Sequence, residues 1–265
     1  MKRPTSFRYV VQERVGLITL ARPDVLNSLT FDVYRELRDL FFELEGDSTT
    51  GAVVITGEGR GFCSGGDVNA IIGELFARDM AGVVEFARMT CDVIRNMRAL
   101  RKPVIAALNG IAAGAGAVIA LAADLRLAVP EAKLAFLFTK VGLAGADMGA
   151  AYLLPRVVGL GRAAELLYFG DAVDARTAES YGLVNRVVER DQLLPEALAW
   201  ARRLADGPAF GLGITKELLN AGLSSDLNNA LDNEARAQAI CMRTQDFREA
   251  YLAFTEKRPP RFTGR

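Results

Sequence analysis

Two stretches of this sequence are suited to exposing backbone amides: "GRGFCSGGD" at residues 59–67 and "NGIAAGAG" at residues 109–116. Each follows a short apolar run that reads as a buried strand, 52–56 and 104–108, and each leads into a helical segment. A strand that ends in glycines before a helix leaves N–H groups without intrahelical partners. Two such groups aimed at one point would hold a carbonyl oxygen as it gains negative charge. Either loop alone also reads as a tight strand-to-helix turn. There is no histidine, which removes His-based triads, His metal sites and His general bases. Cys63, Cys91 and Cys241 are odd in number and far apart. They match no zinc spacing and fit a reducing compartment.

The elements that must position these loops alternate. Strands are expected at Tyr9–Gln12 and Val15–Leu20. A helix opens near Ser28–Asp32 with Thr30 as cap and runs to about Glu45. After the strand at 52–56, Val68 to about Met97 reads as mostly helical, with Gly73 and Gly82 as weak points. Between Lys102 and Asp124 there is no charge. A membrane span is excluded there, because Asn109-Gly110 is a turn pair and 111–123 is too short to cross a bilayer. A dinucleotide loop is excluded too, since Ile119 stands where the GxGxxG frame needs a third small residue. What remains is a strand at 104–108, a turn and a buried helix over 111–123. Short strands at 125–129 and 133–138, a loop at 142–149, helices at 149–158, 161–169 and 174–181, and a strand at 183–188 follow. Beyond about residue 190 the chain reads as nearly all helix, including 193–205 and 226–254, before a tail at 257–265. The change divides a mixed core, 1–190, from a helical region, 191–265.

The chain has 265 residues, 32 basic and 32 acidic, and is 51% hydrophobic. This fits one large domain, or one with a small appendage. Zero formal charge argues against a nucleic-acid partner. The N-terminal "MKRPTSFRYVVQERV" has no apolar run behind its basic residues, so no signal peptide is expected and a cytoplasmic location is.

Read in order, "LARPDVLNSL", "GRGFCSGGDV", "ALNGIAAGAGAVIALAADLRLA", "VGLAGADMGAAYLLPRVVGLGRAAELL", "AESYGLVNRVV" and "FTEKRPPRF" resemble the enoyl-CoA hydratase/isomerase (crotonase) family. The likeness spans roughly residues 8 to 262. It implies an α/β fold, a crotonase-like spiral of ββα turns with a helical C-terminal trimerisation region, and a homotrimer or homohexamer. It implies an acyl-CoA substrate, no membrane partner, no metal and no cofactor beyond the coenzyme A of the substrate. The family's shared feature is an oxyanion hole for the thioester carbonyl. Its donors fall here on the backbone N–H of Gly66 and Ala115.

The sequence departs from the family at the catalytic pair. Hydratases use two glutamates, and the matching positions hold Val118 and Phe138. One carboxylate remains: Asp147 matches the acidic residue of dienoyl-CoA isomerases and 4-chlorobenzoyl-CoA dehalogenases. Its uncharged neighbours would raise its pKa, which suits acid/base work; as an alternative it caps the following helix. Dehalogenation fits poorly, since that branch uses a His and a Trp, and the sole Trp here, Trp200, lies in the C-terminal helices. Val118, Phe138 and Met148 would give the acyl group an apolar lining. The resemblance puts Ser64, Gly66 and Val68 near the adenine end of CoA, and Phe254 and Lys257 at a neighbouring subunit's CoA. Two usual lysines are replaced by Asp24 and Asn69, with Arg22 and Arg60 as substitutes for the phosphates. Cys63, Tyr152, Glu74, Asp79 and Glu85 are weaker candidates. The favoured reading is a hydratase/isomerase-type reaction with Asp147 as acid/base. A thioester hydrolase or decarboxylase of the same fold, or a silent acyl-CoA-binding paralogue, is the alternative.

Overall fold

The computed structural model describes residues 3–265. β1 (Phe7–Gln12) and β2 (Val15–Leu20) form an antiparallel hairpin. Its two turn residues, Glu13 and Arg14, take φ of 49° and 60°, the left-handed pair that matches the twist of a two-residue hairpin. α1 (Phe31–Glu43) follows, with Thr30 Oγ1 accepting from the Val33 amide as expected of a cap. Then come β3 (Ala52–Gly57), β4 (Gly61–Cys63), a π-helical turn at Val68–Ile72, α2 (Gly73–Ala77) and α3 (Met80–Ala99). The middle of the chain is β5 (Val104–Leu108), β6 (Ile111–Ala113), α4 (Ala115–Ala122), β7 (Leu125–Ala128) and β8 (Lys133–Ala135). A 3-10 turn at Leu137–Val141 precedes α5 (Ala150–Val158), α6 (Leu160–Phe169), β9 (Ala172–Asp174), α7 (Ala175–Ser180) and β10 (Arg186–Val187). Four helices end the chain: α8 (Arg190–Ala205), α9 (Ala209–Gly222), α10 (Leu227–Cys241) and α11 (Gln245–Thr255).

The strands sort into two sheets, ordered β1-β2-β3-β5-β7-β10 and β4-β6-β8-β9. Successive pairs β3/β4, β5/β6 and β7/β8 each give one strand to the first sheet and the next to the second. The chain thus winds as a spiral of ββα turns, as the resemblance implies. The inner strands read as unbroken apolar runs because both faces are covered: every residue of β3 and β5 is buried.

Several boundaries differ from expectation. The helix expected over 111–123 begins only at Ala115, because Ile111–Ala113 pairs with β4 and β8 instead. The strand expected at 133–138 stops at Ala135, and that at 183–188 shrinks to Arg186–Val187. The helical run from Val68 breaks at Arg78 rather than at its glycines, where Asp79 accepts from the Gly82 amide and starts α3. The run at 226–254 is split by Thr244, which caps α11. α8 packs on the large sheet through Leu193, Ala197, Ala201 and Ala205, all buried in the core. The change from mixed to all-helical chain falls near residue 190 as expected, with α8 the first of the four helices and packed on the large sheet.

Candidate active site

The second sheet makes the donor site. β4 and β6 are neighbouring parallel strands, paired Gly61 to Ile111 and Cys63 to Ala112. Parallel strands end on the same side, so the loops that leave them emerge together. The glycines let them touch. Gly65 and Gly114 hold φ of +97° and +52°, a region that L side chains rarely enter. A Cβ on Gly65 would stand 3.5 Å from the Ala115 nitrogen, and one on Gly116 only 2.3 Å from the Cys63 carbonyl oxygen.

The amides flanking the site are used. Leu29 donates to Gly65 O (2.8 Å), Asp67 to Leu29 O (2.9 Å) and Gly114 to Ala135 O (2.8 Å). Among the described residues, no protein acceptor takes the N–H of Gly66 or Ala115. Ala115 is the first residue of α4, where the helix dipole presents its positive end. Arg126 steadies the other end. Its guanidinium is buried and donates to the carbonyls of Ala123 (2.6 Å), Leu121 (3.1 Å) and Leu183 (2.7 Å). Burial lowers its pKa to about 10. Asp67 fixes the first loop: it accepts from the Ala70 and Asn69 amides and from Ser28, and pairs with Arg22 at 3.0 Å. The Ala70 amide, then the Ser28 and Arg22 contacts, hold its carboxyl below the usual value against burial.

Asp147 is half-buried in the loop before α5. One carboxylate oxygen accepts from the Met148 amide at 2.8 Å. Met148 takes φ of +48° to make that turn and is buried. Burial raises the Asp147 pKa, and the Met148 N–H opposes it. Capping does not account for the residue: α5 has Gly149 at its N-cap position and no side-chain cap. The carboxylate lies near Tyr34 and Cys91, whose pKa values burial raises first and its charge raises further. The Tyr34 hydroxyl in turn stands 3.8 Å from where a Cβ on Gly66 would be. Tyr34 thus stands beside the Gly66 loop and feels the Asp147 charge.

Val118 is sealed inside α4, and Phe138 is buried in the turn after β8 with a ring carbon 3.9 Å from the Cβ position of Gly114. Neither can transfer a proton. Cys63 is sealed, and burial pushes its thiol up to about 12, so it is no nucleophile. Tyr152 is exposed, its ring covered by the Arg156 guanidinium at 3.6 Å. Glu74 pairs with Arg78, Asp79 caps α3, and Glu85 is exposed.

The CoA candidates are scattered. Ser64 Oγ donates to the Val25 carbonyl at 3.2 Å, and Val68 is exposed. Arg22 is not a free cation: besides Asp67 it donates to the Ser28 carbonyl at 2.7 Å, so it anchors a loop rather than waiting for a phosphate. Arg60 is exposed. Phe254 and Lys257 lie at the exposed end of α11, and no hydrogen bond or ion pair ties their side chains to the donor loops among the described residues. Also among the described residues, no cluster of three metal-ligating side chains exists, and no helix is long and apolar enough to cross a membrane. Tyr34 and Arg126 carried no local sequence signal.

A sequence profile described as enoyl-CoA hydratase/isomerase matches residues 11–265. The chain belongs to that family. It is 39% identical over 257 residues to the 1,2-epoxyphenylacetyl-CoA isomerase of Escherichia coli (strain K12), covering 96% of this chain and 97% of that one. It is 35% identical to the crotonyl-CoA hydratase of Syntrophomonas wolfei, with 96% of each covered. A crystal structure from Streptomyces coelicolor A3(2), 52% identical, superposes with TM-score 0.98 over 100% of this chain and 96% of that one. The enoyl-CoA hydratase of Bacillus anthracis, 32% identical, gives 0.93 over 98% of this chain and 100% of that one. The protein is an acyl-CoA enzyme of this family, with the family's fold.

Proposed function

We propose that the chain catalyses an isomerase-type proton transfer on an acyl-CoA, with Asp147 as its single acid/base. The observation that carries this is a half-buried carboxylate with a raised pKa, which caps no helix, in a site whose other two candidate positions are Val118 and Phe138. The carboxylate takes a proton from a carbon of the acyl group. The electron pair left behind moves into the thioester, and the carbonyl oxygen becomes an enolate oxygen. The N–H groups of Gly66 and Ala115 hold that charge, an arrangement worth about a hundred- to thousandfold in rate per donor. The protonated Asp147 then returns the proton to a different carbon, the double bond shifts, and the carboxylate is restored. Nothing is added or lost. Hydration asks for more, because water must be activated while a second group delivers a proton.

Phe138, beside Gly114, and Met148, next to Asp147, suit an apolar acyl group; Val118, expected to line it as well, is sealed in the core. CoA binding by Ser64 and Val68, with Phe254 and Lys257 serving a neighbouring subunit, rests on the resemblance, as does assembly as a homotrimer or homohexamer. The test is turnover on a panel of acyl-CoA esters by the native protein and Asp147→Asn. Double-bond or ring isomerisation that the substitution abolishes supports the reading. Hydrolysis or decarboxylation points to the alternative reactions, and tight binding with no turnover to a silent paralogue.

A further inference from the structure

The C-terminal end of α4 is closed by guanidinium groups from two other elements. α4 holds no polar side chain, and the carbonyls of its last turn, residues 119–122, need donors from beyond the helix. The Ala123 N–H serves Ile119 and Ala120 at 3.3 Å each. Arg126, in β7, donates to Leu121 at 3.1 Å and to Ala123, just past the helix, at 2.6 Å. Arg98, in the last turn of α3, donates to Ala122 at 3.3 Å.

The charge on Arg126 is not cancelled by a partner. It is 6% exposed, and among the described residues no carboxylate pairs with it. Asp124 is close enough to act on it, but that carboxylate is divided between Lys216 of α9, at 2.8 Å, and Arg98, at 3.2 Å, and it also accepts from the Val104 amide. With its pKa at about 10, Arg126 stays a cation at neutral pH. The C-terminal end of a helix carries partial negative charge, which opposes an anion held at the other end. In α4 two guanidiniums offset it, in a protein interior that screens charge far less than water does. At the other end of the same helix stands the Ala115 N–H.

We propose that Arg126 and Arg98 are positioning residues for the oxyanion donor: they hold the C-terminal end of α4 and offset its negative charge, so that the Ala115 N–H stays aimed and binds the thioester oxygen more strongly. This rests on the acyl-CoA reading above, with Gly66 and Ala115 as donors. Neither arginine touches the substrate, and α4, about 12 Å long, carries the effect.

Infrared difference spectroscopy with butyryl-CoA, isotope-labelled at its carbonyl carbon, tests it, because a more strongly polarised thioester carbonyl absorbs at lower frequency. The native protein is expected to move the band down from its place in the free ester. Arg126→Met keeps an unbranched apolar chain and loses the charge. It is expected to send the band part of the way back, and to lower turnover on the ester that the panel above identifies about five- to tenfold, the effect of one charge over the length of α4. Butyryl-CoA affinity should change less than turnover. Arg126→Lys, which returns a cation to the same carbonyls, is expected to restore the band. Arg98→Met, at a half-buried position, should move it the same way by less, and decides the matter where the melting curve shows that Arg126→Met does not fold. A folded Arg126→Met or Arg98→Met with the native band overturns the inference alone. A native protein that leaves the band at the free ester's position overturns the donor reading and this inference with it.

Discussion

At neutral pH the charge on Asp147 is one that its surroundings oppose, and two measurable consequences follow. As a base it must be ionised, so turnover should fall on acidification with a midpoint above about 4, the ordinary carboxylate value, because burial raises its pKa. The linkage sign is the reverse of a paired carboxylate. With the folded pKa above the unfolded one, the native state binds more protons in that window, so this group's contribution to stability falls as pH rises through it. Asp147→Asn removes the opposed charge and keeps an oxygen for the Met148 amide. Turnover should drop about a hundredfold to ten-thousandfold, while thermal melting at pH 7 shows a stability equal to or above the native protein's. That gain should vanish in acid, where both proteins are uncharged at the site. Full turnover by the variant would remove Asp147 from the chemistry. Asp147 was legible in the sequence because it lies a fixed distance before "LPRVVG". Tyr34 was not, because Gly66 and Phe86 beside it come from later in the chain, and Arg126 was not, because its acceptors are backbone carbonyls, which leave no side-chain pattern.

At the scale of elements, the proposed oxyanion site depends on two strands of three residues each, β4 and β6. β4 and β6 are too short to show periodicity, and the sequence reads them as a loop and as the start of a helix. The long, fully buried β3 and β5 were plain, as was the alternation of the longer strands and helices. What stayed hidden was that the donor loops leave β4 and β6, side by side. Their close approach can be tested through glycine. Gly116→Ala puts a Cβ 2.3 Å from the Cys63 carbonyl oxygen and 2.7 Å from Cys63 Cβ, so α4 must shift and carry the Ala115 amide with it. Overpacking of this kind costs about 1–3 kcal/mol, visible as a lower melting temperature, and turnover should fall at least about tenfold as the donor is misaligned. Gly73→Ala is the control. No atom lies within 4 Å of its Cβ position, and Gly73 opens the short helix α2, so the change should leave turnover intact. Equal losses from both would mean that the approach of the two loops does not matter.

For the whole molecule, the proposed assembly has its surface at the C-terminal helices. From Ala209 onward only Gly213, Lys216, Asp246 and Ala253 are buried, while Leu219, Leu227, Tyr251 and Phe254 are 67%, 73%, 65% and 84% exposed. This is the apolar surface that the proposed homotrimer or homohexamer would cover. Sedimentation at micromolar concentration should show a trimer or hexamer and no stable monomer. If the tail of one subunit serves the CoA of the next, the interface is head-to-tail, and a ring closes it. Two damaged chains should then repair each other. Asp147→Asn leaves a protomer without its acid/base but with an intact tail. Lys257→Ala leaves the acid/base but a weakened tail. In co-expressed rings that mix the two at random, about a quarter of the sites combine an intact Asp147 with an intact neighbouring Lys257. At substrate levels well below saturation, the mixed preparation should turn over faster than the mean of the two variants assayed separately. If the tail serves its own site, every chain carries one lesion wherever it sits. The mixture would then give only that mean, and the shared-site arrangement would be wrong.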